Sequence, residues 1–273
     1  MHRGSSPAIA ILTLAASFGL LPTRSAQAAS DEPAEPGHAI GVGFGVRGDA
    51  VREDLVVPLT FSGPGVRMLA GYRGWLGPGL VTARLDVGLA FLFNRFGHIA
   101  ATVDYSAEVA WTTRILRGMG WHLSLGPALA LDTRVNYLYA WDDAHGYWLG
   151  TQWLGPALRH ARRISDHWRF ESGASLAVVG FEGRPPSYRY NKQDALTHLD
   201  YYFTQPQRSE RFVTLADLQV LRIDAAVRRA AYGASEVGRG WAFGIDIRFA
   251  RTDVVATNIN LSACLYAARA WGW

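Results

Sequence analysis

Cysteine and lysine are nearly absent from this sequence of 273 residues. Cys264 is the single cysteine, which excludes a disulfide scaffold and a zinc site built from cysteines. Lys192 is the single lysine, and the arginines form no basic run or basic helix. We therefore expect no nucleic-acid partner, although the formal net charge is +4. We also expect no cofactor and no metal site.

Long apolar runs are also absent after residue 37, so no segment reaches the roughly 18 residues that a transmembrane helix requires. Charged residues make up only 18% of the chain, whereas aromatic residues make up 12% and glycine occurs 29 times. This composition favours β-strands over a helical or disordered chain.

The N-terminal residues predict export through a cleaved signal peptide. Arg3 precedes the apolar segment Ala8–Leu21, and Pro22 ends it. Residues 26–28 (AQA) have the small-x-small form that signal peptidase accepts. The predicted organisation is a signal peptide over 1–28, a periplasmic leader over 29–38 and one domain over 39–273.

The remaining sequence alternates with the period of two that β-strands show. Trp241–Phe249 (WAFGIDIRF), for example, has large apolar side chains on one face and Ala, Gly, Asp and Arg on the other. Eleven segments have strand character: 39–47, 54–62, 65–73, 80–93, 98–114, 119–135, 147–160, 166–181, 213–229, 239–251 and 256–273. The two faces of 147–160 are ambiguous.

Two all-β folds fit this alternation. In a soluble secreted β-sandwich the apolar face points inward, whereas in a transmembrane barrel it points at lipid. The polar faces here are rich in Gly, Ala, Ser and Thr, which favours a cramped barrel interior. Tryptophans also cluster at strand ends, where an interfacial belt would lie: Trp75, Trp111, Trp121, Trp148, Trp168 and Trp241.

The last strand resembles a known signal. Leu265, Ala267, Trp271 and Trp273 occupy alternating positions, and Arg269 departs from the apolar pattern. Such a strand, ending on an aromatic residue, is similar to the assembly signal of bacterial outer-membrane β-barrels. The resemblance implies the outer membrane of a Gram-negative bacterium, with outer-membrane lipids, lipopolysaccharide and the barrel assembly machinery as partners.

Barrels of this class have even strand numbers and short periplasmic turns. We assign 54–62 to the first outer loop, because it contains Pro58 and proline removes a donor from the sheet. The fold class is then all-β, an antiparallel up-and-down transmembrane barrel of about 10 strands, with 12 as the alternative. The connections 136–146 and 182–212 fall outside the cell, and the turns at 74–79, 115–118, 161–165 and 230–238 fall in the periplasm.

The inward face of these strands is strongly charged. Arg47, Arg67 and Arg73 lie on it, and the predicted network comprises Arg84, Asp86, Asp104, Glu108, Asp132, Arg134, Arg169, Glu171, Arg222, Asp224, Arg228, Asp246 and Arg248. A charge inside a narrow barrel must be paired or hydrated. The network therefore either fills the lumen in a structural barrel or lines a narrow pore for a small polar solute.

Two short motifs suggest chemistry. His122 and Ser124 resemble the His-x-Ser-Asn motif of outer-membrane phospholipase A and lipid A deacylase, with Leu125 in place of the Asn. They define an alternative function, a lipid-modifying acyl hydrolase with Ser124 as nucleophile and His122 as base. Asp142, Asp143 and His145 form a looser cluster that is comparable to outer-membrane aspartyl proteases.

The longest connection carries a candidate binding surface. Arginine suits phosphate groups, and tyrosine suits sugars or lipid headgroups. We expect contact with lipopolysaccharide or an external ligand through Arg184, Tyr188, Arg189, Tyr190 and Tyr202.

Overall fold

The computed structural model describes residues 37–54, 57–140, 143–183, 210–230, 240–254 and 257–272. It contains no helix in these ranges that is long and apolar enough to cross a membrane. The described residues form twelve strands: β1 (His38–Glu53), β2 (Val57–Leu76), β3 (Gly79–Phe93), β4 (Ile99–Gly118), β5 (Trp121–Ala140), β6 (Asp143–Arg163), β7 (Trp168–Leu176), β8 (Val179–Gly183), β9 (Glu210–Thr214), β10 (Leu218–Ala230), β11 (Gly240–Thr252) and β12 (Asn258–Gly272). The predicted signal peptide over 1–28, residues 29–36 of the predicted leader over 29–38, the residues 184–209 and Trp273 lie outside the described ranges.

Ten of the strands close into an antiparallel barrel. The order around it is β1-β2-β3-β4-β5-β6-β7-β10-β11-β12, and β12 pairs with β1. The pairing is antiparallel throughout, so all sheet edges in this ring are satisfied. The predicted ten-stranded barrel is confirmed, and the soluble β-sandwich is wrong because one sheet closes on itself.

The short strands β8 and β9 continue two barrel strands past an interruption. β7 and β8 both pair with β6, at residues 157–163 and 150–154. At the break, the Ala177 N–H donates to the carbonyl of Val220 and the Val178 N–H donates to that of Leu154. The segments predicted as single strands at 166–181 and 213–229 are therefore each divided in two.

The predicted outer loop at 54–62 is wrong for residues 57–62, which belong to β2, and Val57 and residues 60–62 pair with β1. Pro58 lies at a register shift where the pairing passes from Thr60 to Val57, so no N–H is required of it there. Pro64 lies opposite Gly48 of β1, while the pairing of β2 with β3 passes from Ser62 directly to Gly65. A proline has no N–H to donate, and this gap in the register lets it remain within the strand.

Both chain ends of the barrel domain lie at one end of the barrel, which we call the terminal end; the opposite end is the distal end. Two-residue connections at 77–78 and 119–120 close hairpins at the terminal end. Gly77 and Gly120 have positive φ there (59° and 74°), which a residue with a side chain rarely adopts. At the distal end, β5 and β6 extend to Ala140 and Asp143, so most of the predicted 136–146 loop is strand.

Apolar and charged side chains are distributed in the opposite way to those of a soluble protein, with apolar residues outside and charged residues inside. Val42, Phe44 and Val46 on the outside of β1 each expose more than half of their surface. Arg47 and Asp49, which point inward from the same strand, are buried. Apolar residues therefore form the outer wall, and charged residues fill the interior.

This division predicts how the barrel responds to a charge on its outer wall. Val87→Arg at the middle of β3 should lower the free energy of unfolding in lipid vesicles by about 2–4 kcal/mol, because it places a cation in hydrocarbon. Phe96→Arg, in the exposed distal connection of 94–98, should cost at most about 1 kcal/mol. Urea titration followed by tryptophan fluorescence measures both, and equal costs would contradict a lipid-facing outer wall.

Candidate functional site

The centre of the lumen is occupied by a group of charges around Asp246, here called the Asp246 cluster. Arg67 Nη1 lies 2.5 Å from Asp246 Oδ1, and Arg248 Nε lies 2.8 Å from the same oxygen. Arg84 Nη1 lies 2.8 Å from Asp246 Oδ2 and its Nε lies 2.9 Å from Asp86. Because β3 and β11 are four strands apart around the barrel, the contact between Arg84 and Asp246 bridges the lumen.

A second group of charges, the Glu108 cluster, connects the strands β4, β5, β6 and β10. Arg222 Nη1 lies 3.0 Å from Glu108 Oε2, and Arg222 also pairs with Asp132. Arg159 on β6 lies 3.1 Å from Glu108 Oε1 and 2.5 Å from Asp224. These contacts connect β4, β5, β6 and β10, so neighbouring carboxylates are held together by arginines from facing strands.

A third group, the Asp49 cluster, lies toward the distal end. Arg47 Nε is 2.7 Å from Asp49, and Arg47 also pairs with Asp104 on β4. Arg134 approaches Asp49 at 3.5 Å and donates from Nη1 to Asn260 Oδ1 at 2.7 Å. β5 and β12 are five strands apart in a ring of ten, so this last hydrogen bond joins opposite walls.

The fourth group, the Glu171 cluster, lies toward the terminal end. The Glu171 carboxylate is 2.7 Å from Arg73 Nη1, 3.4 Å from Arg228 Nη2 and 3.7 Å from Arg169 Nε. Arg73 on β2 and Glu171 on β7 are also five strands apart. Three guanidinium groups therefore surround one carboxylate.

Between the Asp49 cluster and the distal end, the lumen is partly apolar. Two groups of buried apolar side chains point inward there and pack the space between the strands. One contains Val51, Phe61, Ala90, Leu92 and Ala100, and the other includes Trp153, Ala177, Val213, Leu218 and Val220. Trp153 also donates from Nε1 to Asp132 at 3.0 Å and so connects the apolar packing to the Glu108 cluster.

A cavity of about 210 Å³ occupies the terminal half of the lumen. Its wall includes members of the Asp246, Glu108 and Glu171 clusters together with small residues of β1 and β12. Ala39 and Ala270, near the ends of those strands, also line it, so the cavity reaches the terminal end. The lumen therefore consists of an open terminal chamber and a packed distal half.

The structure places the thirteen residues of the predicted network together inside the barrel. Five pairs of opposite charges in this network are spaced by two residues along a strand, and three of these pairs are in contact: Arg84 with Asp86, Arg169 with Glu171 and Asp246 with Arg248. In the other two pairs each charge meets another strand. Asp132 pairs with Arg222, and Asp224 pairs with Arg159.

Sequence reasoning missed two central members, Asp49 and Arg159. Asp49 follows Arg47 by two residues and therefore shares its inward face, a signal that was available in the sequence. Arg159 lies in the segment whose faces were ambiguous. The small residues Ala157 and Ala161, which flank it on the same face and are buried, carried the only indication.

The remaining predicted residues have varied positions. His122 and Ser124 both line the terminal cavity. Trp271 is exposed on the outer wall, and Arg269 lies over its ring at 5.7 Å and over that of Trp241 at 5.6 Å. Trp148 is buried, so its assignment to the outer aromatic belt is wrong.

Several predicted sites fall outside the described part of the chain. These are the outer-loop residues Arg184, Tyr188, Arg189, Tyr190 and Tyr202, the C-terminal Trp273, and Asp142. The side chains of Asp143 and His145 are likewise not described.

Comparison with known proteins gives likenesses of structure alone. No family model matches the chain, and no curated protein matches it. The outer membrane protease OmpT from Escherichia coli is similar over 88% of this chain and 97% of its own, with a TM-score of 0.50 and 8% identity. The chain has the outer-membrane β-barrel fold.

Other outer-membrane barrels are more distant. The translocator domain of the autotransporter NalP from Neisseria meningitidis matches at a TM-score of 0.41 and 9% identity, over 96% of this chain and 95% of that one. An outer membrane channel from Pseudomonas putida F1 matches at 0.36 and 8%, over 90% and 100% of the two chains. At these identities the likeness concerns architecture and assigns no activity.

The burial of Asp246 predicts a large effect of its removal. Asp246→Asn should destabilise the barrel by about 3–5 kcal/mol, because it leaves the buried Arg67 and the partly buried Arg84 and Arg248 without their shared carboxylate. Asp253→Asn, whose partner Arg251 is exposed, should cost at most about 1 kcal/mol. Urea unfolding in vesicles compares the two variants, and similar costs would show that the Asp246 cluster does not hold the barrel.

Proposed function

We propose that the protein is an integral outer-membrane barrel with a structural role and a closed, non-conducting lumen. The fold and the apolar outer wall support insertion in a bilayer as a barrel. The single observation that carries the closed lumen is the set of polar contacts that join opposite walls. Arg134 with Asn260 and Arg73 with Glu171 each connect strands that are five apart.

The packed distal half supports the same conclusion. An ion moving along the axis would have to displace the paired charges of the Asp49 cluster and then pass buried apolar side chains such as Phe61 and Leu92. Breaking a buried ion pair costs about 3–5 kcal/mol, and a dry apolar segment adds the cost of removing water from the ion. A small barrel with this content has little room for a continuous water path.

The orientation follows from the architecture of the class. Bacterial barrels have short turns on the periplasmic side and their long loops outside, and here the longest connection between strands, 184–209, lies at the distal end. We therefore assign the terminal end to the periplasm and the distal end, with the long connection of 184–209, to the cell exterior. Export by the predicted signal peptide, assembly through Trp271 and Trp273, and contact of the outer loop with lipopolysaccharide belong to this proposal.

The hydrolase alternative has less support. An acyl hydrolase of membrane lipids needs its nucleophile where an acyl chain can reach it. Ser124 and His122 line the interior cavity instead of the outer wall. Their position favours a role as polar wall residues of the lumen.

The closed lumen is tested by recording from planar bilayers that contain the purified protein. We expect no unitary current steps under conditions in which an open porin conducts. Glu108→Gln, inside the lumen, and Asp253→Asn, in the exposed distal connection, are the matched variants. Currents whose ion preference changes in Glu108→Gln but not in Asp253→Asn would contradict the proposal and favour the narrow solute pore.

A further inference from the structure

The cavity in the terminal half of the lumen is lined by charged side chains of both signs. Its lining includes Arg73, Arg84, Arg159, Arg222 and Arg228 against Glu108, Glu171, Asp224 and Asp246. The count of these lining charges is nearly balanced, so the sign of the surface depends on which groups face the open space. The exposed fractions of the side chains show this directly.

Three of the lining arginines are more exposed than the carboxylates that they pair with. Arg84 exposes 24% of its side chain, whereas its partner Asp246 exposes 2%. Arg73 and Arg228 expose 20% and 21%, whereas the Glu171 side chain between them exposes 11%. Arginine side chains therefore form most of the charged surface of the cavity, and the Asp246 and Glu171 carboxylates are more deeply buried.

Asp224 is the exception among the lining carboxylates. It exposes 25% of its side chain, similar to the arginines, and pairs with Arg159 at 2.5 Å. It therefore places one negative charge on a surface that is otherwise positive. Removal of the Asp224 charge should therefore strengthen the binding of an anion, whereas removal of an arginine charge should weaken it.

The Glu171 cluster contributes two of these exposed arginines to the cavity wall. Arg73 and Arg228 both contact the Glu171 carboxylate and both keep about a fifth of the side chain exposed. In a chamber enclosed by the barrel, guanidinium groups at the wall attract an anion more strongly than at an open surface, since water screens them less.

The size of the chamber limits the ligand. A volume of about 210 Å³ corresponds to about seven water molecules at roughly 30 Å³ each. This space suits a small solute and excludes a lipid or a peptide. Guanidinium groups bind phosphate and carboxylate oxygens with paired, charge-assisted hydrogen bonds, so these oxyanions fit the wall best.

We propose that the terminal cavity is a binding site for a small oxyanion, a phosphate or carboxylate group, that enters from the terminal end of the barrel. Arg84 and Arg228 face the ligand from opposite parts of the wall. The more deeply buried carboxylates that they pair with keep the arginines extended into the chamber. The site requires no passage through the distal half, so it is independent of whether the barrel conducts.

The test is isothermal titration calorimetry of the purified protein in detergent at constant ionic strength. Sodium phosphate is the probe in one arm and sodium succinate in the other, and the tighter of the two identifies the class of oxyanion. Arg228→Gln should weaken binding roughly tenfold, because it removes one charge-assisted contact. Glu171 keeps Arg73 and Arg169 in this variant, so the barrel should still fold.

Two further variants separate binding from stability. Asp224→Asn removes the exposed carboxylate and should strengthen binding several-fold, a gain that misfolding cannot produce; Arg159 retains Glu108 as its partner. Arg251→Gln removes an exposed arginine at the distal end and should leave binding unchanged. The proposal is overturned if neither anion binds saturably, or if Arg228→Gln and Asp224→Asn both bind like the wild type.

Discussion

The constraint on which the rest of this structure depends is that charges placed inside a narrow barrel must find opposite charges inside it. The middle of the outer wall is apolar, so a charge there cannot turn outward without entering hydrocarbon. The inward arginines therefore pair with carboxylates inside the barrel. Because the neighbouring positions on the same strand often carry too few carboxylates, many arginines pair with a carboxylate on another strand, across the lumen. Arg84 to Asp246 and Arg73 to Glu171 are such contacts. The ion pairs cross-link distant strands and hold the barrel closed around a filled axis.

The spacing of small residues makes these long contacts possible. Gly88 on β3 lies beside the Arg47 guanidinium, and a Cβ at that position would overlap it. Gly173 on β7 similarly leaves space for Arg159 and Asp224. The mixture of glycine with charge on the inward faces is thus one feature: glycine removes volume from one strand, and an arginine of another strand occupies it. A lumen of uniformly medium-sized side chains could not contain so many guanidinium groups.

This dependence on long-range contacts also explains which properties the sequence could predict. The alternation of Trp241–Phe249 identifies a strand and its two faces, because the face on which a side chain lies depends only on its position along that strand. The pairing of Asp132 with Arg222 is not local, because it depends on the register of every strand between β5 and β10. Pro58 was misread for the same reason. A proline is unfavourable in a strand in general, and only the register shows that the pairing of β2 with β1 skips residues 58 and 59.

The two halves of the lumen use the same residue types for different purposes. In the distal half Arg47 and Asp49 are fully covered, and apolar side chains such as Leu92 remove the remaining space. A buried pair there contributes specificity, since any shift in strand register would leave a charge uncompensated. In the terminal half the packing stops at the Asp246 and Glu171 clusters, and the arginines keep part of their surface in a chamber. Ion pairs that are half-covered retain free donor capacity toward a third group. The apolar packing ends part-way along the barrel axis. On the distal side of that point the lumen is a packed core, and on the terminal side it has space for a binding site.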